Sequence, residues 1–116
     1  MKKYHSICAV ETTLNLVGNK WKLLIIRDLL SGTKRFGELK KSISATKNQT
    51  ISRAVLTQNL RELEEAKLLK RKVYAEVPPR VEYALTPLGE SLKEILEALA
   101  IWGDRYKGAT TSKDKF

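Results

Sequence analysis

Between Ser52 and Arg80 the hydrophobic period of this chain changes once, and that change constrains its fold more than any other feature. Leu56, Leu60 and Leu63 recur at four- and three-residue steps, which is the spacing of one apolar face of an α-helix. After Lys67-Leu68-Leu69 the period becomes two. Leu69, Arg71 and Val73 alternate with Lys70, Lys72 and Tyr74, while Val81, Tyr83 and Leu85 alternate with Glu82 and Ala84. Pro78-Pro79-Arg80 lies between these runs, and prolines cannot donate ladder hydrogen bonds, so they belong in a turn. The expectation is a two-faced helix followed by an antiparallel hairpin with a rigid, basic tip.

The second face of that helix carries Ala54, Thr57, Gln58 and Arg61. It is short, polar and singly charged, as a surface that reads base edges in a DNA major groove must be. Glutamine suits adenine bidentately and arginine suits guanine, so Thr57, Gln58 and Arg61 are the candidate groove contacts. A merely solvated face usually carries more Glu and Lys, as this helix does later at Glu62, Glu64 and Glu65. Those carboxylates balance Arg61 and Lys67 on a helix surface. Ser52 is a plausible N-cap, and with Arg53 it could hold phosphate where free amides add to the attraction.

The remaining elements follow from the same rules. Val10, Leu14 and Val17 share a face of a first helix from about Val10 to Val17, closed by Gly18-Asn19. Trp21–Leu30 is nearly all apolar and therefore central to the core. Ser31-Gly32-Thr33 stops it. Phe36, Leu39, Lys40 and Ile43 predict a short third helix, and Ser44–Thr50 reads as a polar loop. Thr86-Pro87 opens the last helix with a capping hydroxyl and a proline at its first position. Leu88, Leu92, Ile95, Leu99 and Trp102 then form a heptad-like seam, more than one small core needs. That seam, with Val10, Leu14 and Val17, predicts a dimer interface.

In order, these elements describe a winged helix-turn-helix: mainly α with a small β-hairpin, an α+β domain over residues 1–106. Residues 107–116 read as a polar, disordered tail. In such a fold the fourth helix enters a major groove and the hairpin lies on the phosphate backbone. The formal charge of +9, from 22 basic and 13 acidic residues, agrees with a polyanionic partner. Lys34 and Arg35, before the third helix, Lys70 and Lys72 on the first hairpin strand, and Arg80 at the tip are the candidate phosphate contacts.

Other function classes find little support. There is one cysteine and one histidine, so no zinc site can be assembled from these ligands within one chain. No phosphate-cradling glycine loop, histidine-based general base or argued carboxylate pair is present, and neither an enzyme nor a cofactor is expected. No apolar run approaches the ~20 residues needed to cross a bilayer, and Glu11, Thr12 and Thr13 interrupt any signal-peptide core. A cytoplasmic location is expected, and a lone cysteine fits it.

Four segments carry a resemblance to a known family: Gly18-Asn19-Lys20-Trp21; Arg35-Phe36-Gly37-Glu38-Leu39; Val55 through Leu63; and Val77-Pro78-Pro79-Arg80 through Thr86. In this order and spacing, from Cys8 to Trp102, the chain resembles the HxlR-type winged helix-turn-helix transcriptional regulators of bacteria. The resemblance implies a homodimer built by the first and last helices, with the fourth helix and the wing on double-stranded DNA. A two-fold dimer sets two reading helices about one DNA turn (~34 Å) apart, so a near-palindromic operator is expected.

Two features depart from the family pattern. The segment between Ile43 and Ile51 is several residues longer, and Ala9 stands where proline is common. Some relatives sense oxidants or electrophiles with a cysteine just before the first helix. Cys8 is open to that reading, with His5, Lys2 and Lys3 near it in sequence, and also to that of a buried, inert thiol, the commoner fate of a lone cysteine. An alternative from another class is a winged-helix module that binds protein or RNA. A weaker one is a regulator that senses a small molecule at its dimer interface.

Overall fold

The computed structural model describes the backbone of residues 2–47 and 49–111, with side chains from Cys8 onward within those ranges except that of residue 47. Helix α1 spans Lys2–Val17 and begins well before the apolar period that predicts it. No proline or glycine interrupts the run, so the helix continues beyond its patterned part. Helix α2, Lys22–Leu30, is the pillar of the domain, with Ile25 and Ile26 wholly buried. It ends at Ser31 and Gly32, where φ of 134° is accessible to glycine alone at little cost.

A strand that the sequence pattern does not predict, β1 at Lys34–Arg35, precedes helix α3. Helix α3 runs from Phe36 to Lys47, and most of the expected polar loop is its last turn. Apolar periodicity ends at Ile43, but Ser42, Ser44, Ala45 and Thr46 contain no breaker, and the Thr46 hydroxyl donates to Ser42 O. Helix α4, Arg53–Glu65, follows, capped as expected by Ser52, whose hydroxyl oxygen accepts from the Val55 N–H. It ends with Lys67 left-handed at φ 64°; the Leu68 N–H reaches Leu63 O and the Lys67 N–H reaches Glu64 O.

Strands β2, Leu69–Tyr74, and β3, Arg80–Leu85, form the expected hairpin, paired from Leu69 with Leu85 to Tyr74 with Arg80. Strand β1 adds to β3, giving a three-stranded antiparallel sheet of order β1-β3-β2. The last helix is in two parts, not one. Helix α5 is a single turn, Pro87–Glu90, and helix α6 spans Lys93–Thr111. The Ser91 hydroxyl donates back to Leu88 O, a local bond that competes with continuous helix, and Leu92 at the break enters the core. Helix α6 extends five residues into the expected tail, through 107–111; residues 112–116 lie outside those described.

The core joins Val17, the α2 isoleucines, Leu39, Ile43, Ile51, the α4 leucines, Leu68, Leu69, Leu85 and Leu92. Helix α5 closes it by sitting on the α4–β2 connection. The Thr86 hydroxyl donates to Lys67 O at 2.7 Å and accepts from the Gly89 N–H, while the Thr86 N–H donates to Leu68 O. Gly89 is buried directly against Leu68 O, where a Cβ would clash with backbone. Gly89→Ala is therefore expected to destabilise the domain by about 1–3 kcal/mol, the cost of overpacking a filled site. Chemical denaturation checks this, and an unchanged midpoint would show that α5 lifts away freely.

Candidate nucleic-acid interface

Helix α4 is oriented by its apolar face. Leu56, Leu60 and Leu63 are buried against the core, which turns Ala54, Thr57, Gln58 and Arg61 outward as expected. Its polar interior contacts were not legible. Asn59 is 6% exposed and donates to Val55 O, while its Oδ1 accepts from Asn19 Nδ2 at 2.7 Å. Asn19 does more than close α1: its Oδ1 accepts from the Trp21 and Lys22 amides and so caps α2. This asparagine pair ties the start of α2 to the middle of α4.

A second tie lies one turn further on. The ammonium of Lys22, a residue only 8% exposed, meets Glu62 Oε1 at 2.6 Å, and Gln58 Nε2 donates to Glu62 Oε2 at 2.7 Å. These bonds, from Gln58 first and then Lys22, hold the Glu62 carboxyl below its ordinary range. Glu62 is thus more than a balancing surface charge.

The flanking cations fall into different environments. The Arg53 guanidinium stacks over the Phe36 ring at 4.7 Å, joining the start of α4 to the start of α3. Lys34 is half-buried, paired in register with Tyr83, whereas Arg35 is exposed and its amide donates to Glu38. Lys70 and Lys72 are exposed on the outer face of the sheet, with Lys72 over the Tyr74 ring. Arg80 does not project as a free tip cation. It pairs with Glu82 at 3.0 Å and Glu76 at 3.1 Å and stacks on Tyr74 at 3.9 Å. Two carboxylates and a ring engage it and brace the wing, while its buried Nε has no hydrogen-bond partner among the described residues.

Arg71 is not among the candidate contacts read from the sequence. It stands on the core-facing parity of β2, between Leu69 and Val73, and with Thr57, Leu60, Arg61, Glu64 and Tyr83 lines a cleft of about 210 Å³. A charge on the apolar parity was the available signal. Burial raises the Tyr83 hydroxyl above its ordinary range, opposed by Arg71.

The expected dimer residues divide. Val10, Leu14, Leu88, Leu99 and Trp102 are exposed large apolar side chains. Val17 and Leu92 are instead buried in the chain's own core, and Ile95 is packed against it, because the turn after α1 and the break before α6 point them inward. Tyr106 was missed; it stacks on Trp102 at a ring separation of 5.4 Å and lengthens the exposed stripe. Cys8 is exposed and lies inside α1, not ahead of a helix N-terminus. The side chains of His5, Lys2 and Lys3 lie outside those described. Among the described residues no His, Cys, Asp and Glu group could hold a metal ion, and no helix is long and apolar enough to cross a membrane.

An outward polar helix seated on a core, followed by a sheet wing, defines a winged helix-turn-helix DNA-binding domain. Residues 16–111 match the model of the HxlR-like helix-turn-helix family. The HTH-type transcriptional regulator YkvN of Bacillus subtilis (strain 168) is 47% identical over 106 residues, covering 91% of this chain and 84% of YkvN. The solved structure of the HTH-type regulator YtcD has a TM-score of 0.76 at 44% identity, covering 85% of this chain and 96% of that one. The reduced form of the redox regulator HypR has a TM-score of 0.77 at 37% identity, covering 85% and 93%. The chain belongs to the HxlR-like helix-turn-helix family. It is a DNA-binding transcriptional regulator, and the family is not one of enzymes.

Because the folded Glu62 value is lowered, the stability this carboxylate contributes is complete above the ordinary carboxylate value and is lost as pH falls through the lowered one. Glu62→Gln is expected to lower the thermal midpoint at neutral pH, and the gap from wild type should close in acid. Equal midpoints at neutral pH would remove the ion pair from the account of stability.

Proposed function

We infer that the chain acts in the cytoplasm as a homodimer that occupies a near-palindromic operator, one α4 in each of two major-groove half-sites about one turn (~34 Å) apart. The observation that carries this reading is the exposed Thr57, Gln58 and Arg61 face, opposite the buried Leu56, Leu60 and Leu63. Ser52 and Arg53 hold backbone phosphate at the start of α4. Arg35, Lys70 and Lys72 add sequence-independent contacts, with half-buried Lys34 behind them. The exposed apolar side chains of Val10 and Leu14 on α1, Leu88 on α5, and Leu99, Trp102 and Tyr106 on α6 support dimerisation, since paired copies would cover them.

Selection of bound duplexes from a random pool at near-physiological salt tests the reading. An enriched inverted repeat supports it; salt-sensitive binding without a motif would redirect the search to a protein or RNA partner. On the selected operator, Arg61→Ala is expected to reduce discrimination by ~5-fold or more while sparing most nonspecific affinity. Lys72→Ala should weaken all duplexes alike and reduce the salt slope by about one. Indistinguishable effects would overturn this division between helix and wing.

A redox response at Cys8 is a second reading, favoured by its exposure on α1 and by the likeness to HypR, whose name describes a redox regulator. Hydrogen peroxide is expected to change operator binding by the wild-type chain and not by Cys8→Ser. The same change in both would reject it.

A further inference from the structure

Gln58 is a candidate base contact whose side chain is already held by a neighbour. Residues 58 and 62 are one helical turn apart, and Gln58 Nε2 donates to Glu62 Oε2 at 2.7 Å. The other carboxylate oxygen is engaged by Lys22, which is rooted on α2 and almost wholly buried. This makes a three-residue relay from the core pillar to the outer face of the reading helix.

The relay has a definite chemical effect. An ionised carboxylate accepts hydrogen bonds and cannot donate them, and Lys22 keeps Glu62 ionised. Gln58 must therefore turn its NH₂ group, and not its carbonyl, toward Glu62; the flipped amide would set oxygen against oxygen. One N–H is then occupied. What remains is one N–H and the carbonyl Oε1, a single donor beside a single acceptor. Adenine offers N7 as acceptor and N6–H₂ as donor, and that edge matches. Guanine presents two acceptors, O6 and N7, and would need both N–H groups. An unrestrained glutamine can rotate its amide to suit several bases, whereas a held one cannot, and its rotamer entropy is lost before DNA arrives.

We propose that Glu62, anchored by Lys22, is a specificity-determining positioning residue that fixes the amide of Gln58 for adenine and against guanine. The inference rests on the reading of Gln58 as a base contact. Glu62 itself touches no DNA in this scheme. Loss of its charge would raise affinity for every duplex alike, which leaves the ratio between bases unchanged.

The test measures binding of the full chain to the selected operator and to versions carrying each base at each position. Gln58→Ala is expected to flatten an adenine preference at one base pair per half-site, by ~5-fold or more. Glu62→Ala should flatten the preference at that same base pair, and the double variant Gln58→Ala/Glu62→Ala should be no flatter than Gln58→Ala. Because Glu62→Ala strands a buried ammonium, Lys22→Met/Glu62→Ala removes both charges and is expected to show the same loss if the single variant does not fold. A lower thermal midpoint with a wild-type base ratio in the Glu62 variants would overturn the relay and leave the Gln58 contact standing. No change of base ratio in Gln58→Ala would overturn the base contact and the relay together.

Discussion

Removal of Ile25, Ile26 and Leu29 from water is the interaction on which the other elements depend, because α3, α4, α5, α6 and β3 all pack against that one helix. Each such side chain is worth about 1.5–3 kcal/mol when fully buried, against ~0–1 kcal/mol for an exposed ion pair. The apolar contacts therefore decide where α4 sits. With Leu56, Leu60 and Leu63 turned to α2, the polar face has no choice but to look outward. The asparagine bond between Asn19 and Asn59 contributes less energy, yet it is directional, and it fixes which turn of α4 faces the start of α2.

The sheet sorts charge by parity. Arg35, Lys70 and Lys72 share the outer face with Glu82, while Lys34 and Arg71 share the inner one with Tyr83. One run of basic sequence thus supplies two environments: an open cationic surface and a cleft against α4 in which Arg71 and Arg61 both stand. The tip is stiffened separately, by Arg80 with its carboxylates and Tyr74. A net charge of +9 does not describe this arrangement, because a cation engaged by Glu76 and Glu82 and an exposed one such as Lys70 count equally in it.

What was legible in the sequence is what strong periodicity encodes. The α4 leucines and the β2–β3 alternation each repeat long enough to name a face, and the fourth helix, its cap and the hairpin were read from them. Strand β1 has two residues, too few for any period. The last turn of α3 has no large apolar residue to extend the pattern, and the break before α6 is marked by no proline and only by a local serine hydroxyl bond. Among the site residues, Thr57, Gln58 and Arg61 were legible as a face. The ion pairs of Arg80 were not legible because one of its partners lies across the tip, and the Asn19–Asn59 bond joins residues 40 apart. Val17 and Leu92 fit a seam by spacing, but spacing names a face without naming what it meets.

The weld at Thr86 has a mechanical consequence. Its hydroxyl and amide grip the backbone at Lys67 and Leu68, immediately after α4, while its own chain leads through α5 into α6. The end of α4 and the start of α5 are thereby joined, and α6, beyond the break at Ser91, is seated on the same pillar, α2. In a pair of such chains, a few degrees of rotation about the shared stripe would be magnified at the far ends as a change of span. Such a pair would work as a caliper, in which a change of span needs no rearrangement of either interior.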